Sequence, residues 1–148
     1  MPDMRIVVDT RALEELEQKL QEAVQEEALK ALQQELLYEL GERLVAATKE
    51  KTPVATGHLR GNWYAGNVQW KNAVAELEVY NPVEYAAPVE YGHAQEVGRY
   101  VPAIGKRLVA PMVPGFFMLH RSEKELEAIL PDFLKARIER YIEEALNR

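Results

Sequence analysis

Three histidines, one serine and a surplus of carboxylates are the side chains in this 148-residue sequence that could do chemistry. His58, His93 and His120 form no His-x-x-Glu-His pattern, and no two of them lie one helical turn apart, so a zinc or iron site has no local signature. Ser122 is not in a Gly-x-Ser-x-Gly elbow, and its place before Glu123-Lys124-Glu125 predicts a helix cap with Glu125 reaching back to it. No Gly-x-x-x-x-Gly-Lys or Gly-x-Gly-x-x-Gly loop is present to cradle a phosphate. Glu76 and Glu78 share a face, and Glu84 and Glu90 flank a tyrosine-rich turn, so a hydrolytic carboxylate pair is available by residue type. Alternating glutamates are equally the ordinary dress of a wet sheet face. We therefore expect no enzyme and assign no catalytic, cofactor-binding or metal-ligating residue. No cofactor is expected either.

Residues suited to contact are more concentrated. Tyr64, Tyr80, Tyr85, Tyr91 and Tyr100 cluster with Trp63 and Trp70, as a small core or as an interface would require. Arg43, Lys49, Lys51, Arg60 and Lys71 stand against Glu50 alone, a net of +4 over residues 43–71, with Arg99, Lys106 and Arg107 further on. These bases suit phosphates, or the acidic helix of a neighbouring subunit. Residues 13–35 carry seven acids and two bases, a net of −5, which fits a solvated face or a partner surface.

The elements that must position these residues can be read from periodicity. Arg5 to Val8 reads as a strand, with Asp9 or Thr10 capping the helix after it. From Arg11 to Lys51 strong helix formers dominate without a proline. Leu13, Leu16 and Leu20 are out of phase with Leu29, Leu32, Leu36, Leu40 and Leu44, which predicts one bent helix or two abutting ones. Thr52-Pro53 stops it. Trp63 to Trp70 and Ala73 to Tyr80 predict an antiparallel hairpin turning at Lys71-Asn72, with Ala75, Leu77 and Val79 on the buried face. A short helix through Tyr85 to Tyr91 closes at Gly92. Residues 93–115, broken by glycine and proline, read as a long loop or a loose hairpin that becomes ordered on a partner. Phe116 to Leu119 reads as a buried strand or helix lead-in. An apolar helical face then runs from Leu126 to Leu146, interrupted by Pro131.

The expected fold is α+β, a small antiparallel sheet flanked by a long N-terminal helix and a C-terminal helix. We expect a single domain over 1–148, divided into 1–51, 52–92, 93–115 and 116–148. With no cysteine, disulfides and thiolate sites are excluded. A net charge of −6 argues against nucleic acid as the main partner. No run approaches the roughly 18 apolar residues of a membrane span, and no signal-peptide core opens the chain.

The most informative stretch is Lys51-Thr52-Pro53-Val54-Ala55-Thr56-Gly57-His58-Leu59-Arg60-Gly61-Asn62-Trp63. With Tyr85-Ala86-Ala87-Pro88-Val89-Glu90-Tyr91-Gly92-His93, and Tyr100 to Lys106 followed by Gly115 to Leu119, it resembles the tail completion, or head–tail joining, proteins of long-tailed bacteriophages, often called minor tail components. Ala55 departs from the aspartate frequent before Thr-Gly in that family. The resemblance implies a non-catalytic virion protein of the tail or neck, made in the bacterial cytoplasm. Its partners would be other tail or connector proteins and further copies of itself in a ring. Turn and interface candidates are Thr52, Pro53, Thr56, Gly57, Leu59, Arg60, Trp63, Tyr85, Glu90, Tyr91, Gly92, Arg99, Lys106 and Arg107. A nucleic-acid-binding phage adaptor and a small phage hydrolase are the alternatives.

Overall fold

The structure is a computed structural model and describes Arg5 and residues 9–148. The strand expected at Arg5 to Val8 lies outside the described residues except for Arg5, which is in no strand. The architecture is α+β: long helices at either end of the chain and four two-stranded antiparallel ladders between them. It divides into two compact units, residues up to 35 with 130–148, and residues 36–129.

In the first unit, α1 (Arg11–Ala23) and the opening turns of α2 (Glu26–Lys51) pack with the end of α5 (Met118–Leu146). The leucine phase shift is resolved by a break at Val24-Gln25, giving two helices. Tyr141 donates its hydroxyl to the Ala23 carbonyl at 2.7 Å, satisfying one of the end carbonyls that a helix cannot bond itself. Arg137 reaches Glu35 at 2.9 Å. The apolar cover is thin. Only Ala23 and Ala145 are buried among the described residues here, while Leu13, Leu16, Leu20, Val24, Ile138 and Ile142 stay exposed.

The second unit holds the core. Val45 of α2, Leu59 of α3 (His58–Gly61), Trp63, Ala86 of α4 (Ala86–Tyr91) and Met118 of α5 form one buried cluster, with Ala65, Val79, Val83, Val89 and Leu119 packed around it. The hairpin is present as β1 (Tyr64–Ala65) paired with β4 (Val79–Tyr80), and β2 (Gln69–Lys71) paired with β3 (Val74–Glu76). Its turn falls at Asn72-Ala73, one residue later than expected, because Asn72 takes the left-handed φ of 56° that asparagine tolerates. Ala75, Leu77 and Val79 are half-buried and Glu76, Glu78 and Tyr80 exposed, the alternation expected of a strand with one wet face.

Residues 92–114 form a second hairpin, an arm of two ladders. Strand β5 (Gly92–Ala94) pairs with β8 (Met112–Pro114), and β6 (Tyr100–Val101) with β7 (Lys106–Arg107). Between the ladders, Gly98 N–H donates to the Leu108 carbonyl and Leu108 N–H to the Arg99 carbonyl. Gly92 starts the arm at φ 85°, and a Cβ there would strike the Val113 carbonyl of the returning strand, so both dihedral and space demand glycine.

The start of α5 differs from the expected capping box. The helix begins at Met118, and Ser122 lies inside it, fully buried, donating its hydroxyl back to the Met118 carbonyl at 2.7 Å. Glu125 pairs instead with Lys51 at 2.7 Å. The cap comes from elsewhere in the chain. The carboxylate of Glu90 accepts the N–H groups of Leu119 and His120, each at 3.0 Å. Phe116 and Phe117, expected to be buried, are exposed; they use their N–H groups to satisfy the last carbonyls of α4, at Val89 and Glu90. Pro131 does not break α5, although it withdraws the N–H that would bond the Glu127 carbonyl.

Glu90→Ala should therefore destabilise the fold by roughly 1–3 kcal/mol, since the start of α5 loses its acceptor. Glu90→Gln, which keeps one acceptor oxygen, should lose less. Urea midpoints of the two variants measure this, and a wild-type midpoint for Glu90→Ala would show that the carboxylate is not the cap.

Candidate functional site

Most of the residues singled out from the sequence meet at the end of α2. Thr52 is 1% exposed and donates its hydroxyl to the Thr48 carbonyl at 2.7 Å. The same hydroxyl oxygen accepts the indole N–H of Trp63 at 2.9 Å. Arg60 donates to the Thr52 backbone carbonyl at 2.9 Å, placing a cation at the negative end of the helix. Arg60, one of the bases suited to phosphates or to the acidic helix of a neighbouring subunit, here places one guanidinium nitrogen on a main-chain oxygen of its own chain.

Pro53 ends the helix, and Thr56 accepts the His58 N–H at 3.3 Å to shape the turn. Gly57 reverses the chain at φ 83°, with open space where a side chain would stand. Leu59 then enters the core beside Trp63. Asn81 was not anticipated. Its amide donates to the Leu59 carbonyl and its side-chain oxygen accepts the Val83 N–H, joining α3 to the lead into α4. Its position before Pro82 was the available signal, since asparagine bonds its own backbone two residues on.

The second group surrounds Glu90. It is 4% exposed, whereas Tyr91 is 67% exposed and meets the Phe117 ring edge-on, with His120 edge-on beyond it. Glu90 and His93 have a spacing that can ligate a metal on one helix, but the helix ends at Tyr91 and His93 stands on β5. No group of three histidine or carboxylate side chains that could hold a metal occurs among the described residues.

The third group, Arg99, Lys106 and Arg107, lies on the arm and is exposed. Arg107 donates to the Gly98 carbonyl at 2.8 Å and sits 5.9 Å over the Tyr100 ring. Around them Val97, Tyr100, Ile104, Val109 and Met112 are exposed, Val109 to 85%.

The concavities of the second unit are open. The one of about 680 Å³ is lined by Leu37, the strands of the first hairpin and the side chains of Lys71, Glu76 and Glu78. Lys71 hydrogen-bonds Glu76 at 2.9 Å, which raises its ammonium pKa above the ordinary value. A smaller one of about 240 Å³ lies along Pro53 to Leu59 with Tyr85 and Val89, and Tyr85 itself is exposed beside the His58 ring. The polar side chains of the larger one include an internal ion pair, Lys71–Glu76. The basic stretch 43–71 is largely engaged within the chain, through Arg43–Glu39, Lys51–Glu125, Lys71–Glu76 and Arg60 on its carbonyl.

The model of a family described as bacteriophage HK97-gp10 tail component matches residues 14–92, more than half of the chain. The chain belongs to the HK97-gp10-like family of phage tail components. No curated protein and no solved structure matches it. The span shared with the HK97-gp10-like family includes both the Thr52 junction and Glu90, and it stops where the arm begins. Membership gives the chain a structural role in a phage tail and a place in the virion. No described helix is long and apolar enough to cross a membrane.

The Thr52 junction makes its own forecast. Thr52→Val should cost about 1–3 kcal/mol by leaving the Trp63 indole N–H buried without an acceptor, whereas Thr52→Ser should recover most of it. Denaturation followed by tryptophan fluorescence checks both, and a wild-type midpoint for Thr52→Val would remove the junction from the account.

Proposed function

We propose that this protein is a tail completion, or head–tail joining, component that acts by contact alone, as a homo-oligomeric ring between the tail tube and the capsid connector. The observation that carries this is surface that the single chain leaves bare. Leu13, Leu16 and Leu20 on α1, Val24 at its end, Tyr100, Val109 and Met112 on the arm, and Phe116 and Phe117 are exposed. Apolar surface on this scale marks contact with other proteins. The glutamates that line the larger concavity, Glu76 and Glu78, are alternate exposed positions of a wet sheet face, and Glu76 is paired with Lys71, which supports contact over hydrolysis. Nucleic acid is a poor match for the bases of residues 43–71, most of which are bonded inside the chain.

A phage carrying a stop codon in this gene should produce DNA-filled heads and free tails in the same lysate, and supplying the protein in trans should join them. Electron microscopy of negatively stained lysates distinguishes the outcomes. Joined particles without the protein would contradict the joining role, and missing tails would assign it to tail assembly instead.

A further inference from the structure

Two surfaces of this chain lack cover and differ in character. The first is the outer stripe of α1. At 3.6 residues per turn, Leu13, Leu16, Leu20 and Val24 line one side of the helix. One margin of that stripe is turned towards the chain's own first unit: Ala23 is buried there, and Lys19 donates to the Leu146 carbonyl. The opposite margin carries Glu14 and Glu17. Their polar contacts among the described residues are to Thr10 and Gln21, and neither has a cationic partner there.

The second surface is one face of the arm. Tyr100 stands opposite Arg107 in the β6–β7 register, and alternation places Val109 on the same face two residues on. All three are exposed. A two-stranded ribbon is marginal by itself, because it has no third strand or helix to cover a face. This face offers an aromatic ring, an aliphatic side chain and a cation, and the α1 stripe offers four aliphatic side chains with two carboxylates along one edge.

We propose that this arm face, Tyr100, Arg107 and Val109, docks on the α1 stripe of a second copy of the chain, with Arg107 set against Glu14 and Glu17. Apolar contact supplies the area, and the charges fix which way the arm lies. The two surfaces are different, so each copy gives an arm and receives one. Such a head-to-tail contact propagates from copy to copy until its rotation closes a ring.

This deepens the assembly reading above, but it is tested on the purified chain, so its failure is separable from failure of the joining role in the phage. The sequence contains no cysteine, which makes engineered pairs unambiguous. Leu16→Cys and Val109→Cys are made in separate chains of different mass, mixed at high concentration and oxidised. The expected product is the mixed disulfide, in clear excess over either homodimer. Arg107→Glu on the Val109→Cys chain should lower its yield at least about tenfold, as like charges then face each other. Adding Glu14→Arg and Glu17→Arg on the Leu16→Cys chain should restore it. Circular dichroism of each variant separates a lost contact from a lost fold, and Tyr100→Asp on the Val109→Cys chain, which keeps the Arg107 side chain and its Gly98 carbonyl acceptor, provides a second disruption. Homodimers in equal yield, no mixed disulfide, or a yield indifferent to the charge reversal would each overturn the proposal.

Discussion

Glu90 is a buried carboxylate held by two backbone N–H groups rather than by a cation. Burying such a charge costs several kcal/mol unless its oxygens are satisfied, and the open end of a helix is one of the few places where main chain alone can do it. Much of the second unit depends on that one contact. The side chain holds the first turn of α5, and the main-chain carbonyl of the same residue takes the Phe117 N–H. Phe117 is held at φ 49°, a left-handed conformation that costs a residue with a side chain roughly 1–2 kcal/mol. The arm leaves and returns at this point, between Gly92 and Gly115, where added Cβ atoms would meet main chain. Met118, the most buried apolar side chain of the core, is fixed by the same turn.

What could be read in the sequence was whatever had a period or a punctuation mark. The leucine phase shift located the division between α1 and α2 within a few residues, and the alternation from Ala75 to Tyr80 gave the faces of the hairpin correctly. The Thr-Gly turn and the tyrosine helix ending at Gly92 were visible because Gly57 and Gly92 do what only glycine does cheaply. Long-range partners were not legible. Ser122 carried a capping-box pattern, yet a carboxylate some thirty residues earlier captured the helix end, and no local rule encodes that competition. Arg60 similarly has the chemistry of an interface arginine, but the nearest unsatisfied acceptor was the end of its own preceding helix. Phe116 and Phe117 were expected inside from composition and lie outside, because their main chain was needed to close α4.

The division of labour is consistent with a protein whose task is contact. The residues that fix the fold, Thr52, Trp63, Arg60 and Glu90, fall within the span shared with the HK97-gp10-like family, and they are committed to internal bonds. The arm, lying beyond that span, carries exposed apolar and cationic side chains on a ribbon with little support of its own.

A role by contact requires that surfaces bare in the single chain be covered in the particle. Hydroxyl-radical footprinting of the free protein and of intact virions measures that cover residue by residue. Leu13, Leu16, Tyr100 and Val109 should be oxidised readily in the free chain and be protected in the virion, while Ile129 provides an exposed reference elsewhere. Equal oxidation of those four side chains in both states would contradict the account.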